Sequence, residues 1–391
     1  MSPVETDQVD LVRPDYSGMC LDSVLPAVAA VVGASLDASL VDSAEAARLR
    51  LGLPTAERVC VVLVDGLGAR LLAERRGHAA FLRSHLADAR TLTVGYPSTT
   101  AASMGLFGTG CGAGRTGLVG YTARNPETGR LANLVSWDGA GDPQTWQREP
   151  TWFSLISEAG TPVTSVGPAG FAGSGLTLAA LRGARYVGAT SLADRVDVTV
   201  RELAKPGVVY LYWGDVDKAG HQEGWQSAAW GDALSETDRE LARLAKRLPA
   251  GTLLLVTADH GMVDVDRDRL VDVATTPALR TDVALVAGEP RAAHIHLETG
   301  ADAVAVRDRW RETLGDAAWV VDRDHAIADG WFGPVVPAVL PMIGDLVVAA
   351  RGTAGVVDSR TQTPHSLLLR GMHGSLSAGE MLVPLVVVQE V

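Results

Sequence analysis

The stretch "TLLLVTADHG", residues 252–261, decides the fold, because it joins an apolar run directly to Asp259, His260 and Gly261. The run does not alternate apolar with polar residues, which is typical of a strand buried on both faces in a parallel sheet. The pair Asp259-His260 has three possible interpretations. They could close a turn, they could be solvated loop residues, or they could bind a metal ion with ligands from elsewhere in the chain.

Two further stretches have the same character, and each has an acid after its apolar run. They are "VCVVLVDG" at 59–66, with Asp65, and "GVVYLYWGD" at 207–215, with Asp215. Helical patterns lie between and around these runs, at 67–76, 100–107, 151–159, 191–204 and 228–247. Strands that alternate with helices predict an α/β fold, with a largely parallel central sheet flanked by helices. Ligands of such folds bind where the strands end, and the polar motifs follow these strand ends.

Composition limits the classes of partner. The chain has 391 residues, 47% of them hydrophobic and 20% charged, which is enough for a large core. The net charge of −12 argues against a nucleic-acid polymer or an anionic membrane as a partner. An acidic protein that binds an anionic substrate needs a local positive centre, and a bound metal supplies one.

Compartment is predicted from the cysteines and the N-terminus. The cysteines Cys20, Cys60 and Cys111 are odd in number and have no C-x-x-C spacing, so we expect neither a disulfide framework nor a cysteine zinc site. The first 18 residues lack the basic start and apolar run of a signal peptide, and no stretch of about 18 apolar residues predicts a membrane span. We therefore expect a cytoplasmic protein.

The stretch "DVDKAGHQEG", residues 215–224, places Asp217 and His221 four residues apart. On a helix this spacing puts a carboxylate and an imidazole on one face, within reach of one metal ion. The same spacing is common in surface pairs, so the motif alone leaves both interpretations open.

Hydroxyl side chains concentrate in "YPSTTAASMGLFGTG", residues 96–110. Ser98, Thr99, Thr100 and Ser103 precede or enter an apolar helical run. One interpretation is a helix N-cap, which serine and threonine provide well. The other is a nucleophile at a helix N-terminus, where backbone N–H groups favour a phosphate or an oxyanion.

The order of these motifs is more specific than any one of them. Asp65-Gly66 after a strand, the hydroxyl segment, "DKAGH" at 217–221, "ADHGM" at 258–262 and finally His373-Gly374 follow one another along the chain. This arrangement resembles the alkaline phosphatase superfamily and, more narrowly, the nucleotide pyrophosphatase/phosphodiesterase family. The resemblance runs from about Val59 to the C-terminus.

The resemblance implies a set of site residues. Thr100 corresponds to the nucleophile, with Thr99 as the alternative, and Ser103 stands where the family has an asparagine that contacts the phosphoryl oxygen. Two Zn²⁺ ions are implied, although other divalent cations could replace them. The resemblance assigns one ion to Asp65, Thr100, Asp259 and His260, and the other to Asp217, His221 and His373.

The implied activity is that of a metal-dependent phosphodiesterase or nucleotide pyrophosphatase acting on a small phosphate ester or nucleotide-like substrate. Coordination to zinc would make the threonine hydroxyl a nucleophile, and a covalent phosphothreonine would form. Two alternatives stay open. One is a phosphomonoesterase or phosphonate hydrolase on the same metal site, and the other is a non-catalytic metal-binding or ligand-sensing protein. Nothing in the sequence indicates the oligomeric state.

The predicted domain organisation has three parts: a polar tail at 1–18, a catalytic α/β domain at 19–275 and 343–391, and a small inserted α+β cap at 276–342. After the cap, core-like strands are predicted at 343–350 and 383–389. We expect this cap, together with 111–150, to govern specificity. Trp213 and Trp225 flank the D-x-x-G-H motif and could stack on a base or pack in the core. His294 and His296 share one face of a predicted cap strand, where they could line the cap or be buried.

Overall fold

The computed structural model describes residues 11–389. The predicted polar tail at 1–18 lies partly outside this range, since residues 1–10 are outside the described residues. Residues 11–18 are held against the body of the protein. The backbone N–H of Val12 donates to the Leu376 carbonyl at 2.8 Å, and the Tyr16 hydroxyl donates to the Trp331 carbonyl, also at 2.8 Å.

Strands and helices alternate along the chain. The strands are β1 (Arg58–Val64), β2 (Arg90–Thr93), β3 (Thr122–Arg124), β4 (Leu131–Asn133), β5 (Val163–Gly167), β6 (Arg185–Gly188), β7 (Gly207–Trp213), β8 (Thr252–Thr257), β9 (Val263–Asp264), β10 (Leu270–Asp272), β11 (Val283–Glu289), β12 (Ala292–Leu297), β13 (Ala318–Asp322), β14 (Leu346–Ala350), β15 (Gly355–Val357), β16 (Gly371–Met372) and β17 (Leu382–Gln389). The α-helices are Val24–Val31, Ala38–Arg50, Ala69–Glu74, Ala80–His85, Thr100–Thr109, Ala113–Thr116, Pro143–Trp146, Trp152–Glu158, Gly175–Ala180, Leu192–Glu202, Asp215–Glu223, Ala228–Arg247, Pro277–Arg280, Ala303–Leu314, Arg323–Ala328 and Ala378–Met381.

The central sheet confirms the predicted α/β fold. Its strand order is β2-β17-β8-β1-β7-β5-β6, and the five strands from β8 to β6 run parallel. The predicted strand at 383–389 is β17, which enters this sheet antiparallel to β8 and β2. The three apolar runs of the sequence are β8, β1 and β7, neighbours at the centre of the sheet. Both faces of these strands are covered, which explains why their sequences are continuously apolar.

A second sheet, of four strands in the order β11-β12-β14-β13, forms most of the predicted cap. It packs against the helix Ala303–Leu314, with Trp310 fully buried between them. The exact division of the chain into a catalytic domain and a cap stays a prediction.

The run at 343–350 was predicted as a core-like strand of the catalytic domain. The structure places it in the cap sheet as β14, where it pairs with β12 and β13. The physical reason is that alternate residues of β14 enter two different cores. Leu346 and Val348 pack in the core of the cap, whereas Val347 and Ala349 pack in the main core. A strand that is covered on both faces has a continuously apolar sequence, whichever sheet it belongs to.

No helix within residues 11–389 is both long and apolar enough to cross a membrane. Cys20, Cys60 and Cys111 all carry free thiols.

His294 and His296 on β12 are buried against the main domain, as one of the two sequence interpretations predicted. His294 Nε2 lies 2.9 Å from the Val119 carbonyl oxygen, and its Nδ1 accepts from the backbone N–H of Gly344 at 3.2 Å. The ring is therefore neutral and fully hydrogen-bonded. Burial lowers the pKa of His294 to about 4, and burial together with the neighbouring His294 lowers the pKa of His296 to about 3.

We expect acid to destabilise the protein through His294. The unfolded chain takes up a proton near pH 6.5, whereas folded His294 does so only near pH 4. The contribution of neutral His294 to the free energy of unfolding is therefore complete above pH 6.5. It is lost as the pH falls to about 4, and the loss is up to about 3 kcal/mol. Urea unfolding at several pH values measures this loss. His294→Gln should make the profile less steep, with the contribution of His296 remaining, and His325→Gln, at an exposed cap histidine, should leave it unchanged; equal profiles for the two variants would contradict the assignment.

Candidate active site

Three acids converge at the carboxyl edge of β8, β1 and β7. Asp65 follows β1 directly, Asp259 lies two residues beyond β8, and Asp217 lies in the first turn of the helix that follows β7. The backbone N–H of Asp65 continues the pairing of β1 with β7 by donating to the Trp213 carbonyl at 2.9 Å. Adjacent parallel strands end at the same edge, so their terminal side chains meet there.

Glycine is required beside two of these ligand positions. Gly66 has φ of +73°, and a Cβ placed on it would come within 2.9 Å of the Asp217 Cβ. Gly261 leaves room for the Gly379 carbonyl oxygen, which a Cβ would meet at 1.9 Å. The Asp-Gly and His-Gly pairs of the sequence therefore permit the close approach of the segments that carry the polar groups.

All seven predicted metal ligands come together. One group of ligand atoms comes from Asp65, Asp259 and His260, and a second from Asp217, His260 and His373; within each group the atoms lie within 4.8 Å of one another. His221 Nε2 lies 3.3 Å from His373 Nε2 and 3.3 Å from Asp217 Oδ2. Thr100 Oγ1 lies 3.2 Å from His260 Nε2. His260 lies between the two groups, whereas the sequence assigned it to one ion alone.

The three imidazoles present the same nitrogen to the centre. The Nδ1 atoms of His221, His260 and His373 lie 2.7, 2.9 and 3.0 Å from the carbonyl oxygens of Gly371, Gly261 and Ser98. A carbonyl only accepts, so each Nδ1 carries the proton and each Nε2 keeps a free lone pair. This hydrogen bond is the one that metal-binding histidines make through their second ring nitrogen.

The three buried carboxyls each carry an oxygen that has no hydrogen-bond partner among residues 11–389. These atoms are Oδ1 of Asp65, Oδ1 of Asp217 and Oδ2 of Asp259. Burial, reinforced by the neighbouring carboxyls, raises the pKa of Asp65 to about 8 and the pKa of Asp217 and Asp259 to about 7. Unpaired carboxylate oxygens that face imidazole lone pairs fit divalent cations, and the mixed oxygen and nitrogen set suits zinc.

The hydroxyl segment is not used for helix capping. Thr99 is the N-cap of the helix Thr100–Thr109, but its side chain makes no capping hydrogen bond. The Ser98 hydroxyl donates instead to the Ser375 carbonyl at 2.7 Å. Thr100 begins the helix with its hydroxyl beside His260, so the N-cap interpretation does not account for it.

Ser103 lies one helical turn beyond Thr100 and is fully buried. Its hydroxyl has no hydrogen-bond partner in the described range, and it does not line the cavity beside the site. A substrate-binding role for Ser103 therefore stays a prediction. Trp213 and Trp225 do not line the cavity either. Trp213 packs under Arg195 and Trp225 packs against Trp230.

A cavity of about 850 Å³ opens beside Thr100. Its walls come from β3, β4 and the loop after them, from the cap strand β11, and from the segments around Phe171 and Gln362. Parts of 111–150 and of 276–342 thus line the cavity, and their role in specificity stays a prediction. Phe171 was missed, because it lies in a loop without a motif. Its ring is 44% exposed and lies 5.7 Å from the Tyr212 ring, measured between centroids.

Glu289, at the end of β11, was also missed. It is 7% exposed, lines the cavity, and accepts a hydrogen bond from the Tyr121 backbone N–H at 2.8 Å. Burial raises its pKa to about 8. A usable signal was present in the sequence, since an acid directly at the end of an apolar strand is the pattern that marked Asp65.

A family model described as type I phosphodiesterase / nucleotide pyrophosphatase matches residues 59–376. The chain belongs to this family. The type I phosphodiesterase / nucleotide pyrophosphatase family comprises metal-dependent hydrolases of phosphoester and anhydride bonds, so the enzyme class predicted from the motifs is confirmed.

Curated relatives match over short regions. Human ectonucleotide pyrophosphatase/phosphodiesterase family member 5 is 35% identical over 68 residues, which are 16% of this chain and 14% of that protein. The phosphopentomutase of Caldanaerobacter subterraneus is 30% identical over 146 residues, which are 37% of this chain and 35% of that protein. The matched regions thus span well under two thirds of these relatives.

Solved structures with the same fold match over most of the chain. Murine ectonucleotide pyrophosphatase/phosphodiesterase 5 has a TM-score of 0.68 at 19% identity, over 85% of this chain and 88% of that one. Phosphonoacetate hydrolase from Sinorhizobium meliloti, in complex with phosphonoformate, has a TM-score of 0.67 at 21% identity, over 86% and 91%. At these identities the likeness establishes the alkaline-phosphatase-like fold.

Proposed function

We propose that this family member is a phosphodiesterase or nucleotide pyrophosphatase that works through a covalent phosphothreonine on a two-zinc site. One observation carries the proposal. The Thr100 hydroxyl lies at the N-terminus of a helix, 3.2 Å from the Nε2 atom of His260, in a cluster whose three carboxyls each have one oxygen without a hydrogen-bond partner among the described residues. A non-catalytic binding protein would not need a hydroxyl at that point.

The residues fall into two sets around the centre. Asp65, Asp259 and His260 with Thr100 would hold one ion, and Asp217, His221 and His373 would hold the other. When bound, the paired cations supply positive charge that favours the deprotonated hydroxyl and stabilises the developing phosphoryl charge. The Nδ1 hydrogen bonds to backbone carbonyls keep the three imidazoles in the orientation that this requires.

The reaction follows from the position of Thr100. Its oxygen attacks phosphorus in line, the bond to the leaving oxygen breaks, and the phosphoryl group is carried on Thr100 until water releases it. Backbone N–H groups at the start of the helix Thr100–Thr109 point toward this position and favour a phosphoryl oxygen there.

The cavity supports a small nucleotide-like substrate. Phe171 and Tyr212 present aromatic surface at one wall, and base–aromatic stacking is a common means of holding a nucleoside. A structure of the inactive murine relative was solved in complex with AMP. A cytoplasmic location stays a prediction, which a fluorescent fusion in the source cells would test.

Zinc-loaded protein should release p-nitrophenol from p-nitrophenyl esters of nucleotides, lose this activity with a chelator, and recover it with zinc. A side-by-side panel of monoesters and phosphonates decides between the diester reaction and the alternative hydrolases. No turnover of any ester by metal-loaded protein would contradict the proposed function.

Metal binding should also stabilise the fold, because the site exists only in the folded state. Zinc at one hundred times its dissociation constant should add about 2.7 kcal/mol to the free energy of unfolding for each ion bound. The bound metal, measured by elemental analysis, should fall in His373→Ala. It should not fall in His365→Ala, a matched change at an exposed histidine eight residues away. Equal metal content in the two variants would show that His373 is not a metal ligand.

A further inference from the structure

Glu289 is a buried carboxyl in the cavity wall that the reaction above does not use. Its Oε2 accepts from the Tyr121 N–H at 2.8 Å, which holds the side chain in place. Its Oε1 has no hydrogen-bond partner among the residues that the structure describes. A buried acceptor without a partner costs free energy until a donor binds to it.

The unpaired oxygen lies close to the reacting centre. A Cβ placed on Gly374 would lie 3.1 Å from Oε1, so the carboxyl rests against the backbone that follows His373. The Thr99 side chain, next to the proposed nucleophile, lies close enough to the carboxyl to lower its pKa, although it does not meet hydrogen-bond geometry with Oε1. A donor that reached Glu289 would therefore belong to the part of the substrate nearest the phosphoryl group.

The described part of the cavity wall also lacks a cationic side chain that would bind a second anionic group of the substrate. No lysine or arginine lines it within residues 11–389. Its other carboxyls, outside the cluster of predicted metal ligands, are Asp138 and Asp358. Asp358 is buried but paired with Arg360 at 2.6 Å, and Asp138 is exposed, which leaves Glu289 as the buried carboxyl of this set with an unpaired oxygen. A phosphate placed beside Glu289 would lose hydration without gaining a partner.

We propose that Glu289 is a specificity residue that accepts a hydrogen bond from a substrate hydroxyl. The cavity thereby selects phosphodiesters by the ester group that stays on phosphorus when the leaving group departs. This group is hydroxylated and uncharged. This inference rests on the proposed function, and it names the substrate class within it.

Three p-nitrophenyl phosphodiesters test the proposal with the zinc-loaded wild-type protein. They carry a propyl, a glyceryl or a phosphoglyceryl group, so they differ in hydroxyls and in charge. The glyceryl ester should have the highest kcat/KM, exceeding each of the other two by about tenfold or more, because a site built for a hydroxyl rejects the analogue that lacks it. Equal kcat/KM for all three would overturn the proposal while leaving the proposed function intact. No p-nitrophenol from any of them would instead count against the proposed function.

Glu289→Gln separates recognition from folding. It should reduce the preference for the glyceryl over the phosphoglyceryl ester by about tenfold, because the Tyr121 N–H keeps the amide oxygen and the amide NH2 then replaces Oε1 with a donor that a phosphate can accept from. Asp138→Asn, at the exposed mouth, should leave the preference unchanged. A purely structural role would lower kcat/KM for the three esters by the same factor, and that result, with zinc content retained, would overturn the proposal. If Glu289→Gln does not fold, the wild-type comparison decides alone.

Discussion

Thr100→Ala should lower kcat/KM for a p-nitrophenyl nucleotide by about a thousandfold or more, because it removes the oxygen that attacks phosphorus. The variant should fold normally, since the Thr100 side chain makes no capping contact that the helix needs. It should also keep most of its zinc, because six of the seven predicted ligands remain. Steady-state kinetics and elemental analysis on the same sample measure both quantities.

Thr99→Ala is the matched control, one residue away and in the same segment. Thr99 makes no side-chain capping bond, so the variant should keep kcat/KM within about tenfold of the wild type. Thr100→Ser keeps a hydroxyl at the position and should retain part of the activity. If Thr99→Ala lost turnover and Thr100→Ala kept it, Thr99 would be the nucleophile.

A buried ion pair supports the loops that carry two of the histidines. Arg291 and Glu380 are both fully buried, and the guanidinium donates twice to the carboxylate, at 3.0 and 2.8 Å. Glu380 also accepts from the Ser375 N–H at 3.0 Å through its side chain, and from the Gly261 N–H at 2.8 Å through its backbone. The pair thus joins the start of β12 in the cap to the segments that follow His260 and His373.

Removal of one partner should be strongly destabilising. Arg291→Met should lower the free energy of unfolding by about 3–5 kcal/mol, because it leaves the Glu380 charge buried and uncompensated. Urea unfolding at fixed zinc concentration measures the change. The exposed pair of Arg115 and Glu149, 2.7 Å apart, provides the control: Arg115→Met should cost less than about 1 kcal/mol.

The double variant Arg291→Met/Glu380→Gln should be more stable than Arg291→Met, because no unpaired charge remains in the interior. Strictly additive effects of the two substitutions would contradict the interpretation as a coupled pair. Loss of zinc affinity in Arg291→Met, with little loss in the double variant, would show that the pair also holds the histidine loops in place.

The sequence by itself determined the central strands and the identity of the polar groups at their ends. Each of β1, β7 and β8 is a continuous apolar run with an acid one or two residues beyond its end, and such runs are local signals. The order of Asp65, Thr100, Asp217 and His260 along the chain added the family. The helices at 100–109 and 228–247 followed from composition and spacing, which need no knowledge of distant contacts.

Only the tertiary structure decided which distant segments share a surface. The strand β14 was misplaced because an apolar run does not reveal which two cores cover its faces. Glu289 and Phe171 were missed because their role depends on a cavity between segments far apart in sequence. Local patterns report the burial and periodicity of a segment, whereas sheet membership and cavity lining are set by long-range packing, which no short stretch of residues encodes.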